Sequence, residues 1–522
     1  MRIAAGVLAA IAVWASLPVP EYAFEAIKIP WLQLDPTESK ILQQALWLRA
    51  GEPIYFTLGA EPPWIVGNYT PLYPFLCSLM ISPSFPSFLW PRLITFVAAD
   101  IAGIFLFAFV YRAMRSTALG LLAAGLWWST YEVYWYASLC RIDMLAIAFG
   151  VAGLYSGLTS LHRWRWWRLL LTCALFWLAW LTRQTQILLP LALLIWLLVI
   201  DRRWAVRFAA LWIGGLALIF AALLVLTGGA FWTTTVTYNI NAWVFGQFLI
   251  WLRHLAFSMW PIGLLAGVFA AATLLVSRRR PSPEAEPERS PLQDALPLLS
   301  IALGLNALNV LATGKVGADK NYLLEPLWCL AGLLTLLFAA LAQRVRTHRW
   351  SSVSLGLFAA LLFLHVLWNA ASPIPLQSLA RHPTLVRELL DGPLLHRWLW
   401  RAPPQNSPPD FAIALAIMES DGPVLAEYGI YALRHGRELI HEPFLMSQLA
   451  EQGLWDEAPL LERIRAREFG VILTADDLAS PGPHQSATQD FARAVRENYV
   501  EADQVFTHVH DSATLHLWRP KP

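Results

Sequence analysis

Apolar runs near the length of one bilayer crossing, roughly 20 residues, recur along the first 371 positions of the chain. They lie near 3–19, 88–110, 117–135, 142–160, 168–182, 184–200, 207–226, 249–276, 295–312, 322–342 and 351–371. The length rule predicts about eleven transmembrane helices. The fifth and sixth runs are short and parted only by Thr182-Arg183-Gln184-Thr185, so a bent pair or a re-entrant hairpin fits them as well as two spans. From about Ser372 the pattern changes. Proline and charge rise, and apolar runs shorten. Val424–Ala426, Phe469–Leu473 and Thr514–Leu517 read as short buried strands, and Ala458–Arg467 and Asp490–Tyr499 as helices. The expected fold is an α-helical polytopic membrane protein in two parts. Residues 1–371 form a membrane domain with a large first outer loop at 20–87. Residues 372–522 form a small α/β domain outside the membrane, joined through a Pro-rich segment around Pro403 to Pro409.

The arginines orient the spans. Arg112 and Arg115 follow the second, Arg163, Arg165 and Arg168 the fourth, and Arg202, Arg203 and Arg207 the sixth. Arg278 to Arg280 follow the eighth, and Arg344, Arg346 and Arg349 the tenth. Every second loop is therefore basic, and these loops belong in the cytoplasm. Pro281 to Pro291 reads as a polar cytoplasmic linker. The first span reads better as an uncleaved anchor than as a cleaved signal peptide. That sets the N-terminus in the cytoplasm and the C-terminal domain outside an inner (plasma) membrane. The outer loops hold few cations: Lys28, Lys40, Arg49, Arg141, Arg183, Lys315 and Lys320. Each of these asks for a reason.

Composition agrees with the pattern. Of 522 residues, 57% are hydrophobic and 14% charged, against roughly 25% charged in soluble domains. The 27 Trp suit interfacial belts. The net charge of +2 and the lack of a basic cluster leave no case for nucleic acid. Cys77, Cys140, Cys173 and Cys329 show no metal-ligand spacing, and the pair His508 and His510 suits an exposed strand better than a metal.

Five features converge on the outer face. They are Asp35 with Glu38; Asn68 to Pro74; Cys140 to Ala146, with Arg141 and Asp143; Thr227 to Phe231 with Tyr238, Asn239 and Asn241; and Gly314 to Glu325, with Lys315 and Lys320. A carboxylate there would accept a proton from an attacking hydroxyl, and cations would stabilise a phosphate leaving group. Each feature also has a plain structural reading. Asp35 before Pro36 suits a helix N-cap with proline at the first helical position. Arg141 and Asp143 suit an ion pair, Lys315 and Lys320 suit snorkelling side chains, and Arg183 suits a buried partner of a carbonyl or carboxylate.

In order and sidedness these motifs resemble the GT-C superfamily of membrane glycosyltransferases. They are most similar to the bacterial branch related to the dolichyl-phosphate-mannose protein mannosyltransferases and the lipid A aminoarabinose transferases. The resemblance rests on Asp35 and Glu38, on Tyr69-Thr70-Pro71-Leu72-Tyr73, on Arg141 and Asp143, and on Asn321 to Leu324. It implies transfer of a sugar, with inversion, from a polyprenyl-phosphate donor to a lipid, glycan or protein acceptor. Asp35 would be the base, with Glu38 also in the catalytic set. Asp143, Tyr69 and Tyr73 would orient the sugar or acceptor, and Arg141, Lys315 and Lys320 would bind the donor phosphate. Relatives that modify lipid A carry a lysine where this chain has Thr70, so other cations must take the phosphate. No Asp-x-Asp set occurs in the first loop, so no metal or other cofactor is expected. Two sister readings are a transporter or flippase of a lipid-linked sugar and a lipid-linked oligosaccharide ligase or polymerase. The first predicts an internal repeat and ionisable residues at the bilayer midplane. The spans are poor in Asp, Glu and Lys, Asp100 being the clearest exception.

Overall fold

The computed structural model describes residues 2–161, 163–257, 259, 291–344, 357, 359–362, 364, 409–475, 477–478, 486–506 and 514–522. Most of the run at 249–276, nearly all of 351–371, the two Pro-rich linkers and His508 with His510 lie outside these residues. Helices α1 (Arg2–Ser16) and α2 (Pro18–Lys28) lead to α3 (Pro36–Ala50) and α4 (Leu72–Ser78) in the first long loop. Then come α5 (Leu89–Met114), α6 (Thr117–Trp128), α7 (Tyr131–Tyr136) and α8 (Asp143–Ser160). They are followed by α9 (Trp166–Thr182), α10 (Leu188–Ile200), α11 (Arg202–Leu226), α12 (Ala230–Thr235), α13 (Pro291–Ala312) and α14 (Leu324–Arg344). Among the described residues five helical segments are long and apolar enough to cross a membrane: α5, α8, α11, α13 and Lys320–Ala342. Shorter apolar helices are Ala5–Trp14 within α1 and the whole of α6, α9 and α10. The run at 117–135 is two helices rather than one, broken at Ser129-Thr130.

The helices pack by close approach of small residues. α1 lies along α6 and α8 along α9. A methyl added at Gly125 would come within 2.7 Å of Ala12 Cβ, and one at Gly153 within 2.8 Å of the Phe176 ring. Small residues that let backbones approach are the usual currency of helix association in lipid. On α11, by contrast, Leu218, Val225 and Leu226 are 72 to 81% exposed. An apolar face left open to this extent suits contact with lipid.

The C-terminal part carries a four-stranded sheet of order β1-β2-β4-β3. Its strands are β1 (Val424–Ala426), β2 (Val471–Thr474), β3 (Tyr499–Phe506) and β4 (Thr514–Pro520). β1 and β2 are parallel, so a crossover must join them; β4 is antiparallel to both β2 and β3. Side chains alternate between faces. Val424, Ala426, Val471, Leu473, Leu515 and Leu517 join the same apolar core as the helices. Leu425, Ile472 and Trp518 form a second core with Trp64 and Val66 of the first loop. The sheet therefore shares its interior with the described helices of the preceding part.

α3 is the seam between the two parts. It is a polar helix whose Glu38, Ser39, Lys40, Gln43 and Gln44 are buried. Such a helix is stable only where those groups find partners. Gln43 Oε1 accepts from Leu439 N at 3.1 Å, Trp47 Nε1 donates to Glu438 at 2.9 Å, and Lys40 Nζ stands 3.7 Å from Glu442. Positions 40, 43 and 47 share one helical face, and that face reads the segment 438–442. Beside it, Trp64 N donates to Ile440 O at 2.7 Å and Glu442 N to Trp64 O at 3.0 Å.

The N-terminus of α3 is fixed by a fully buried ion pair. Arg92 donates to both oxygens of Glu38, at 3.0 and 2.8 Å, and also to Ala26 O at 2.7 Å and Leu32 O at 2.6 Å. Glu38 further accepts from Leu34 N at 2.6 Å and Cys140 N at 2.7 Å. Neither side chain is reached by solvent. Removing one partner of such a pair leaves an uncompensated buried charge. Arg92→Met is therefore expected to destabilise the protein by about 3–5 kcal/mol, read as a lowered thermal midpoint of the purified protein in detergent. An unchanged midpoint would contradict this role.

Candidate active site

The site is an alternating ladder of charge built from four stretches of chain. Asp35 caps α3, accepting from Thr37 N at 2.8 Å, and Glu38 completes a reciprocal capping box. Both Asp35 oxygens also accept from one Arg141 nitrogen, each at 3.2 Å. Arg141 Nε donates to Asp143 Oδ2 at 3.2 Å. Asp143 Oδ1 pairs with Arg183 at 2.9 Å and accepts from Asn321 Nδ2 at 2.9 Å. The break between α9 and α10 thus serves to deliver Arg183, whose guanidinium also lies 4.7 Å from the Tyr322 ring centre. Within the ladder the Asp35 side chain is 13% exposed and that of Asp143 1%. Of the two ladder carboxylates, Asp35 is the more open.

The ladder borders a polar cavity of about 110 Å³. Lys40, Arg141, Arg183 and Lys315 line it, with Glu442 as the carboxylate. Amides of Asn68, Gln184, Asn239, Asn241 and Asn321 supply most of the rest, with Tyr69, Tyr322 and Phe444. Lys315 sits in the loop before α14, where Asn241 Nδ2 donates to Val316 O at 2.9 Å and Val316 N to Ala242 O at 2.8 Å. Its ammonium donates to the neutral Asn239 Oδ1 at 2.9 Å. Burial, with the nearby Arg183 charge, pulls its pKa down to about 8. Burial pushes the Glu442 carboxyl up, against the opposing pull of Lys40 and of the Leu445 N–H. Gly317 holds φ at +80°, and a methyl there would meet the Phe444 ring at 2.9 Å. The C-terminal part therefore closes one wall of the cavity.

Several expected site residues lie elsewhere. Glu38 is sealed against Arg92 and does not line the cavity. Tyr73 is buried, its hydroxyl donating to Pro91 O at 2.8 Å. Lys320 stands 4.9 Å from the ring centres of both Tyr131 and Trp135, away from the lining. Asp35 touches the cavity through Arg141 and Thr37 rather than lining it. Thr70 donates to Trp180 O at 2.9 Å in the buried interior. Lys40, Arg183, Glu442 and the amides were not among the expected site residues. Lys40 and Arg183 had a signal, as cations on a face poor in them, and Asn68, Asn239, Asn241 and Asn321 lie within the motifs named above, although those motifs gave the amides no role of their own. Cys77 and Cys140 are free and buried. Among the described residues no three His, Cys, Asp or Glu side chains gather as metal ligands.

A helical membrane bundle crowned by an ionic ladder and a small mixed sheet is the class of architecture these features define. The fold is similar to that of ArnT from Cupriavidus metallidurans, in its crystal structure bound to undecaprenyl phosphate. The TM-score is 0.53 and the identity 13%, over 98% of this chain and 97% of that one. The apo crystal structure of the same ArnT aligns with a TM-score of 0.45 and 15% identity, over 97% of each chain. No family model matches the chain, and no curated protein matches its sequence.

Lys315 carries the titration expected to show in binding. It is charged below about 8 and neutral above, so affinity for a phosphate-headed lipid should fall between pH 7 and 9.5. The fall should be roughly tenfold, the worth of one charge-assisted hydrogen bond, and should vanish in Lys315→Arg. Titration of lipid binding to the purified protein checks this, and a flat profile for the unaltered chain would contradict it.

Proposed function

We propose that this protein is an integral membrane glycosyltransferase that moves a sugar from a polyprenyl-phosphate donor to an acceptor hydroxyl at the extracytoplasmic face of the inner membrane. The observation that carries this reading is the cation-lined cavity beside the partly open carboxylate of Asp35. It gains support from the fold likeness to a protein solved with undecaprenyl phosphate bound. In this reading the acceptor oxygen attacks the anomeric carbon, the bond from that carbon to the phosphate oxygen breaks, and the configuration inverts. The proton of the attacking hydroxyl goes to Asp35, acting as general base, and the polyprenyl phosphate departs with the bonding electrons.

The cations divide the work. Arg141 and Arg183 are held by Asp35 and Asp143, so they offer fixed donors that need little reorganisation as charge builds on the leaving phosphate. Asp143 is a positioning residue, since it is sealed from the cavity. Lys315 has the neutral Asn239 as its partner and Lys40 only a distant carboxylate, so these two take the place of the lysine absent at Thr70. Lys40 is well suited, because its nearest carboxylate is 3.7 Å away, and an arriving phosphate can replace it. Glu38 and Tyr73 support the loop. Tyr69 forms the floor beneath Lys40, with its ring centre 5.9 Å from the ammonium.

The test is transfer or slow hydrolysis of labelled sugar from a panel of polyprenyl-phosphate sugars by membranes holding the unaltered chain. Turnover with at least one donor is expected. Movement of the donor across the bilayer without sugar release would instead mark a flippase. Lys40→Gln is expected to raise the donor KM about tenfold, the loss of one charge-assisted contact, with a smaller change in kcat. An unchanged KM would remove Lys40 from phosphate binding.

A further inference from the structure

Four amide oxygens give the cavity a chemical preference of its own. Asn68 Oδ1, Gln184 Oε1, Asn241 Oδ1 and Asn321 Oδ1 are buried and accept no hydrogen bond, and all four residues line the cavity. Asn68 and Asn321 are only 8% and 6% exposed. A buried acceptor without a donor is costly, and four around one cavity mark a place where donors are meant to arrive. The orientation of three of the amides is set by their own nitrogens. Gln184 Nε2 donates to Asn68 O, Asn241 Nδ2 to Val316 O and Asn321 Nδ2 to Asp143 Oδ1, each at 2.9 Å. Turning any of them over would set oxygen against oxygen.

Building on the donor-lipid reading above, we propose that these four oxygens receive the hydroxyl groups of an uncharged, hydroxyl-rich sugar. A hydroxyl brings a donor without charge. A sugar acid would instead set further acceptors against the four. An amino sugar would carry its ammonium into a cavity already lined by Lys40, Arg141, Arg183 and Lys315, whose carboxylates are engaged. Asp35 and Asp143 are held by the arginines, and Glu442 faces Lys40 while it caps the helix that follows it, accepting from Leu445 N. A site that hydrogen-bonds substrate hydroxyls discriminates sharply against analogues that lack them, because its polar groups are then left unpaired.

The experiment is equilibrium binding to the full chain in lipid nanodiscs. The ligands are undecaprenyl phosphate itself and undecaprenyl phosphate bearing a neutral hexose, a hexuronate or a cationic amino sugar. The hexose lipid is expected to bind at least about fivefold tighter than the bare lipid, the scale of one or more added hydrogen bonds. Asn241→Ala and Asn68→Ala should each remove most of that gain while bare-lipid affinity stays within about twofold. The comparison of ligands on the unaltered chain decides the matter even where a variant folds poorly. Tighter binding of the hexuronate or amino-sugar lipid than of the hexose lipid would overturn the inference. Binding of the bare lipid with no gain from the hexose would overturn it as well, and would leave the donor-lipid reading standing. No binding of the bare lipid at all would overturn both.

Discussion

The buried pair of Glu38 and Arg92 is the constraint from which the rest of the site follows. Its two side chains satisfy backbone groups from the end of α2, from the turn into α3 and from the turn into α8. The residues that follow those turns are Asp35 and Arg141, and they meet because Glu38 draws both backbones to the same point. A buried charge is tolerable when it is paired and its remaining hydrogen-bonding capacity is filled. Here Glu38 accepts from Arg92 and from three backbone N–H groups. The same carboxylate closes the capping box whose other half is Asp35. Architecture and candidate chemistry are thus assigned to two carboxylates three residues apart.

From that fixed point the ladder runs from Asp35 through Arg141 and Asp143 to Arg183, drawing in three further stretches of the helical part. α3 then carries the order into the C-terminal part through Lys40, Gln43 and Trp47. The outcome is a cavity whose walls come from distant positions in the chain, from Thr37 to Leu445. The C-terminal part contributes directly, since Glu442 and Phe444 line the cavity while the neighbouring Ile440 is bonded to Trp64 of the first loop. A C-terminal part placed in this way is a wall of the cavity rather than a remote support.

Periodicity made much of this legible. Among the described residues the apolar helices between 89 and 344, the break at Ser129-Thr130 apart, strands β1, β2 and β4, and the helices near 458 and 489 lie where hydrophobic pattern puts them. β3 was not legible, because an edge strand carrying Glu501, Asp503 and Gln504 lacks an apolar signature. Asp35, Arg141, Asp143 and Lys315 were legible as charges where charge is scarce, and of the two readings of Asp35 the structure shows the cap on α3, to which it adds a bond with Arg141. Glu38, Tyr73 and Lys320 show the limit of that reasoning. Motif position does not say which way a side chain turns, and burial turned Glu38 and Tyr73 inward, while two aromatic rings drew Lys320 aside. Asn68, Asn239, Asn241 and Asn321 stood within the motifs, but their gathering around one cavity comes from long-range contacts.

The central claim is that Asp35 performs the proton transfer while its neighbour Glu38 holds the frame. Asparagine caps helices as well as aspartate does, so Asp35→Asn removes the base and spares the cap. The decisive measurement is sugar transfer from a polyprenyl-phosphate sugar by Asp35→Asn, alongside its thermal midpoint and donor affinity. The account predicts a fall in turnover of about 10²-fold or more with midpoint and affinity close to those of the unaltered chain. Turnover equal to that of the unaltered chain would contradict it.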